Sequence, residues 1–289
     1  MDADPTPISM TAKLAAYYRQ FTDIPFAADI ARGIGADAAF DALAREHGLD
    51  REKLTFYAPM FEARYKSLTA LIRASGARQV LELASGYSLR GFDLTQHEGF
   101  RYVEADLAGV TATKRALLAD LQRQHGLSPR PDHVVAVADV RDLAQVRAAA
   151  APLDRGAPVV VLCEGLIPYL SREETERLAT NVRAVLSEFA DGCWMTPDFL
   201  FRSEARDLPP ERIRLREVVA GVTQRQFDRS AFEDGDDLAA FLGRLGFDVA
   251  VRRQVDETPS FSSIAALGLD PALIERLRPA LRVWTMTLR

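Results

Sequence analysis

The sequence predicts an α/β protein built on a doubly wound, mostly parallel sheet with an antiparallel edge strand at its C-terminal end. Three observations carry that expectation. Short apolar runs at 80–83, 101–106, 134–138, 158–163 and 193–196 alternate with amphipathic, helix-like stretches. The first run passes into a tight turn of small residues, Ala84-Ser85-Gly86. After the alternation stops, the chain reads helix, strand, loop and final strand, with strands at 248–253 and 283–288.

Composition narrows the function classes. The 289 residues are 48% hydrophobic and 27% charged, as in ordinary globular proteins. The net charge is −5 and no polybasic block occurs, which argues against a nucleic-acid partner. No apolar run approaches the ~18 residues of a membrane span, so no membrane partner is expected. The acidic start, Met1 to Pro5, lacks a signal-peptide core, and a cytoplasmic location is expected. Cys163 and Cys193 lie in apolar strand-like runs and read as reduced, buried thiols. Four scattered histidines without ligand spacing predict no metal site. Oligomeric state is open.

In chain order, residues 1–10 read as frayed. Residues 11–71 read as helices broken near 23–25, 33–35 and 48–50, with aromatic Tyr17, Tyr18, Phe21 and Phe26. The expected layout is an N-terminal helical cover at 1–75 and an α/β domain at 76–289. Strand one, Val80 to Leu83, meets the small-residue turn, and a helix follows from about Leu89. Small residues are needed where backbone passes close under a ligand. Twenty positions past Gly86, the second strand closes on Asp106, where a carboxylate can accept hydrogen bonds from ribose hydroxyls. This is a Rossmann-like nucleotide corner. Its glycines are wrong for a diphosphate: Ala84 takes the first position, Leu89 the third, and Gly91 is displaced. Glu82 would repel a pyrophosphate and attract an ammonium. S-adenosylmethionine has an adenosine, an ammonium and a carboxylate, but no phosphate.

The third strand, read as buried, ends at Asp139-Val140, where a carboxylate can meet the amine of an adenine. Asp142 reads as the N-cap of a helix at 143–150. The fourth strand, at 158–163, is β-branched and reads as buried on both faces. It is followed at once by Glu164, a contact for donor or acceptor or a structural hydrogen-bond partner. Ser171 to Glu174 reads as a capping box. Glu82, Gly86, Asp106, Asp139 and Glu164 all fall at strand ends, where ligands lie in such sheets. Residues 199–235 are charged, Arg-rich and irregular, either a lid-like insertion or a surface excursion.

The motif Glu82-Leu-Ala-Ser-Gly86-Tyr-Ser-Leu-Arg90 resembles the first motif of class I S-adenosylmethionine methyltransferases. Together with Glu104-Ala-Asp106 and Glu164-Gly-Leu-Ile-Pro-Tyr169-Leu, it resembles the leucine carboxyl methyltransferase family, which includes bacterial polyketide O-methyltransferases. Ala84 departs from the family's first glycine. The resemblance spans roughly 56–170. It implies S-adenosylmethionine as cofactor, bound by Arg64, Glu82, Ala84, Gly86, Asp106, Asp139, Val140 and Glu164. Arg64 would reach the donor's carboxylate. Glu164 and Tyr169 are the catalytic candidates, with Tyr169 either beside the reactive methyl or in the core. The reaction implied is methyl transfer to a carboxylate or hydroxyl of a small-molecule acceptor. The histidines sit in settings that offer no evident base, with His97, His125 and His133 loop-like. A nicotinamide-dependent oxidoreductase and a non-catalytic binder of adenosyl ligands are the rival readings.

Overall fold

The apolar runs become parallel strands β1 (Gln79–Leu83), β2 (Arg101–Asp106), β3 (His133–Val137), β4 (Val159–Cys163) and β5 (Gly192–Thr196). Two further strands, β6 (Phe247–Arg253) and β7 (Arg282–Leu288), complete one sheet in the order β3-β2-β1-β4-β5-β7-β6. Strand β7 is antiparallel to β5 and to β6. This is a computed structural model that describes residues 7–205, 210–223 and 229–289. The expectations for residues 1–6, and for 206–209 and 224–228 of the insertion, lie outside the described residues. Strand order reverses around β1, whose parallel neighbours are β2 and β4. A crevice opens above the carboxyl ends at such a point.

Alternation along the strands fills both faces. Val80 of β1 packs with Leu68 and Ile72 of α4 (Tyr57–Ala74) and Leu94 of α5 (Arg90–Glu98). Leu81 and Leu83 turn the other way, toward α7 (Leu143–Ala150), α8 (Arg172–Leu186) and α11 (Gly235–Arg244). All five residues of β4 are fully buried, and each large aliphatic side chain so buried stabilises the fold by ~1.5–3 kcal/mol. Strand β3 differs from expectation. It is the sheet's edge and only half-buried, with Val137 47% exposed. His133 belongs to that strand rather than to a loop. Asp142 caps α7 and Ser171–Glu174 form the capping box of α8, as read from the sequence.

The N-terminal region forms α1 (Pro7–Arg19), α2 (Ala27–Gly33), α3 (Ala36–His47) and α4. Gly35 and Gly48 take left-handed φ values of 62° and 61° at the breaks around α3. Aromatic stacking ties these helices together: Tyr17 lies 4.0 Å from Phe40 and Tyr18 5.2 Å from Phe61. Helix α6 (Ala108–His125) follows β2. The stretch read as irregular contains α9 (Arg202–Ala205) and a longer helix, α10 (Pro210–Thr223). Leu215 and Val219 of α10 join the apolar cluster of α1–α4. Three short helices, α12 (Gln254–Glu257), α13 (Ser262–Ala266) and α14 (Ala272–Leu277), separate β6 from β7. Both cysteines are free and buried. No described helix is long and apolar enough to cross a membrane.

Candidate active site

The turn after β1 takes the backbone through two left-handed residues, Ala84 and Gly86, both at φ 52°. Glycine does this freely, whereas alanine is strained by ~1–2 kcal/mol. Hydrogen bonds hold the turn in place. Ser85 N–H donates to Ala105 O at 3.2 Å and Ser88 N–H to Ser85 O at 3.1 Å. Gly86 N–H donates to Asp106 Oδ2 at 2.7 Å. A diphosphate needs free N–H groups at such a corner. Here those donors are used within the protein, and a carboxylate stands among them. The corner fits an adenosyl ligand without phosphate better than a dinucleotide.

Asp106 closes β2 and also accepts Leu107 N–H on Oδ1 at 2.7 Å. Burial pushes its carboxyl above the ordinary range, against the pull of the two N–H groups and Lys114. Each oxygen has one protein donor, which leaves acceptor capacity for hydroxyls. Asp139, beyond β3, sits at the rim. Its carboxylate accepts from Arg141, whose Nη2 lies 2.7 Å from Oδ2, and this contact lowers its pKa. Arg141 also reaches Glu174 Oε1 at 3.1 Å. Val140 beside it is buried.

Glu164, after β4, is the centre of an arginine cluster. Arg64 Nε donates to Oε1 at 3.0 Å, Arg90 Nη2 to Oε2 at 2.6 Å, and Arg19 closes on Oε1 from the end of α1. Burial alone would raise the Glu164 carboxyl, but Arg19, Arg90 and Arg64 outweigh it and hold it well below the usual range. A carboxylate so held is a weak base. Arg90 also donates to Glu82 Oε1 at 2.7 Å, and Tyr102 OH donates to Glu82 Oε2 at 2.7 Å. Both Glu82 oxygens thus have partners within the protein. Glu82 lies one residue before the strand end, turned to the α5 face, and does not line the cavity. Asp198 braces the loop after β4, accepting N–H bonds from Gly165, Leu166 and Ile167 at 2.8, 2.7 and 3.2 Å. Tyr169 ends that loop, its hydroxyl paired with Thr11 and its pKa raised by burial.

These strand ends floor a cavity of about 870 Å³, in the upper part of the ~300–1,000 Å³ range of ligand pockets. Ala84, Gly86, Asp106, Asp139, Val140, Glu164, Tyr169 and Arg64 all line it. The roof comes from Phe26 and Phe61 of the N-terminal region and from Leu215 and Val219 of α10. Arg64 stacks on Phe61 at 4.5 Å, and its two terminal nitrogens have no hydrogen-bond partner among the described residues. Sequence reasoning did not find Arg19 or Asp198, whose partners lie far away in the chain.

A family model for leucine carboxyl methyltransferases matches residues 23–183, more than half of the chain. The chain belongs to the leucine carboxyl methyltransferase family. The match runs from the cover through α8 and holds every predicted site residue. A Mycobacterium avium relative named "Putative S-adenosyl-L-methionine-dependent methyltransferase" is 31% identical over 211 residues, 69% of this chain and 61% of the relative. A Mycobacterium tuberculosis protein of the same name is 31% identical over 185 residues, 60% of each chain. The chain thus spans about 60% of the length of the curated relatives it matches. A solved structure described as a "putative methyltransferase" from Thermobifida fusca shares the fold, with a TM-score of 0.55 and 15% identity over 100% of this chain and 96% of that one.

Proposed function

We propose that this family member binds S-adenosylmethionine at the strand ends and transfers its methyl group to an acidic oxygen of a small molecule. The single observation that carries the proposal is the convergence on one cavity of the phosphate-excluding turn, Asp106, Asp139-Val140 and the free edge of Arg64. Asp106 would accept the ribose hydroxyls and Val140 would pack against the adenine, with Asp139 at its amine. Arg64 would hold the donor's carboxylate by a charge-assisted contact. When bound, the donor supplies an activated methyl on a sulfonium. The protein's part is then alignment and exclusion of water. Helices α1–α4 would act as a cover and α10 as part of a lid. A cytoplasmic setting fits the two free thiols.

The lining supports an acidic acceptor. No histidine lines the cavity among the described residues. Each lining carboxylate has another use: Asp106 is assigned to the ribose, Asp139 is held by Arg141, and Glu164 by arginines. Burial pushes the Tyr169 phenol up, away from service as a base. Among the described residues, five arginines (Arg19, Arg64, Arg141, Arg216 and Arg229) line the cavity with those three carboxylates. A site without a free base and with surplus positive charge suits an acceptor that arrives as an anion. The test is a mass-spectrometric screen with S-adenosylmethionine and matched carboxylic acids, phenols, alcohols and amines. Methyl esters or ethers of the acidic compounds are expected. Turnover of neutral alcohols or amines alone would refute the acidic acceptor.

A further inference from the structure

Lys114 is fully buried in α6, on its apolar stripe with Val110, Leu117, Leu118 and Leu121. A buried ammonium is costly unless it is paired, and an aliphatic residue would serve packing better. Its Nζ lies 3.0 Å from Glu104 Oε2 and 3.0 Å from Ser85 Oγ. Ser85 is the middle residue of the turn, between left-handed Ala84 and Gly86, and lines the cavity. Glu104 in turn accepts Gly91 N–H at 3.2 Å, from the first turn of α5, and meets His133 Nε2 of β3 at 2.9 Å. It is in register with Glu82 on β1, so two buried carboxylates stand side by side on one face, each with its own cation. One buried ion pair thus ties the turn, the next helix and the edge strand together.

We propose that Lys114, acting through Ser85, is the positioning residue of the donor-binding turn, an inference that rests on the donor reading given above. One consequence of the geometry defines the role. By donating to Ser85 Oγ, Lys114 occupies an acceptor position of that hydroxyl. The hydroxyl proton has no protein acceptor among the described residues and is left to donate to a ligand in the cavity. In support, the ammonium adds to the pull of the Gly86 and Leu107 N–H groups that opposes the upward push of burial on Asp106. The other groups facing Asp106 are the N–H groups of Gly86 and Leu107 and the Tyr87 ring.

The test is calorimetric titration with S-adenosylhomocysteine from about pH 4 to about pH 8. The proteins are wild type, Ser85→Ala, and Lys114→Met combined with Glu104→Gln so that the core stays neutral. The paired variant is expected to bind at least about tenfold more weakly. The acid limb of its affinity should move to higher pH, because a charge that favours ionised Asp106 is gone. Ser85→Ala should lose affinity with the acid limb unmoved, since the ammonium remains. A folded paired variant with wild-type affinity and wild-type acid limb overturns the role. If the paired variant does not fold, undiminished affinity in Ser85→Ala overturns it instead. Wild-type protein that binds no S-adenosylhomocysteine refutes the donor reading itself, whereas wild-type binding with indifferent variants refutes only the role of Lys114.

Discussion

The two strands that flank β1 both lead into a carboxylate at the cavity floor, yet the two carboxylates are unlike. Asp106, ending β2, has only backbone N–H groups as direct hydrogen-bond partners among the described residues and is pushed up by burial. Glu164, after β4, is gripped by Arg19, Arg64 and Arg90 and is held well down. The first keeps acceptor capacity for a ligand's hydroxyls. The second binds three segments of the protein to one another: α1, α4 and α5. A strand-end position places a residue in the site, but its partners decide what it does there.

The largest effect should come from breaking the β4 side. Glu164→Gln leaves Arg90, which is wholly buried, and the partly buried Arg19 and Arg64 without their shared counter-charge. Removing one partner of a buried ion pair typically costs ~3–5 kcal/mol. Chemical denaturation is expected to show a loss of that size. A loss below about 1 kcal/mol would put this cluster in the surface class of ion pairs.

The matching change on the β2 side should act on the ligand first. Asp106→Ala is expected to weaken S-adenosylhomocysteine binding about tenfold to a hundredfold, since a hydrogen bond to a charged group contributes ~1.5–3 kcal/mol. Calorimetry that finds the affinity unchanged would remove Asp106 from the ribose.

Acid separates donor binding from folding without mutation. Asp106 has a raised pKa, so its protonation favours the fold while it removes the acceptor. Glu104 has the opposite sign: burial would raise it, but Lys114 and His133 bring it from 4.5 to about 2. Its contribution to stability is present above the unfolded value and lost as pH falls through about 2. Glu164 shifts in the same direction. Donor affinity should therefore fade at a higher pH than the fold does. Parallel titrations by calorimetry and far-ultraviolet circular dichroism check the order, and coincident losses would contradict it.

The smallest expected effect is a gain. Ala84→Gly should relieve the left-handed strain, worth about 1 kcal/mol before the entropy of the added glycine is counted. Thermal melting reads it, and a clear loss of stability would mean that the methyl group packs usefully in the turn.

Much of this was legible because it is local. Short apolar runs located the strands, and small residues after the first located the turn. Glu82 was read at the strand end but lies one position short of it, and alternation turns it toward Arg90 and Tyr102. Arg19 was invisible for a different reason: it pairs with Glu164 across 145 positions. Its only signal was indirect, since a carboxylate at the mouth of a buried strand needs a cation. Lys114 did leave a mark, as a lone charge on the buried stripe of α6. The α10 helix was read as irregular because its charged residues are spread around it and blur the apolar stripe formed by Leu215 and Val219.

The most direct test of the strand-end site is calorimetric titration of the wild-type protein with S-adenosylhomocysteine, with NADH titrated in parallel. Saturable binding of the first with no heat from the second is the expected result. NADH binding with silent S-adenosylhomocysteine would mean that the turn accepts a diphosphate after all, and the roles given to Asp106, Arg64 and the β1 turn would fall together.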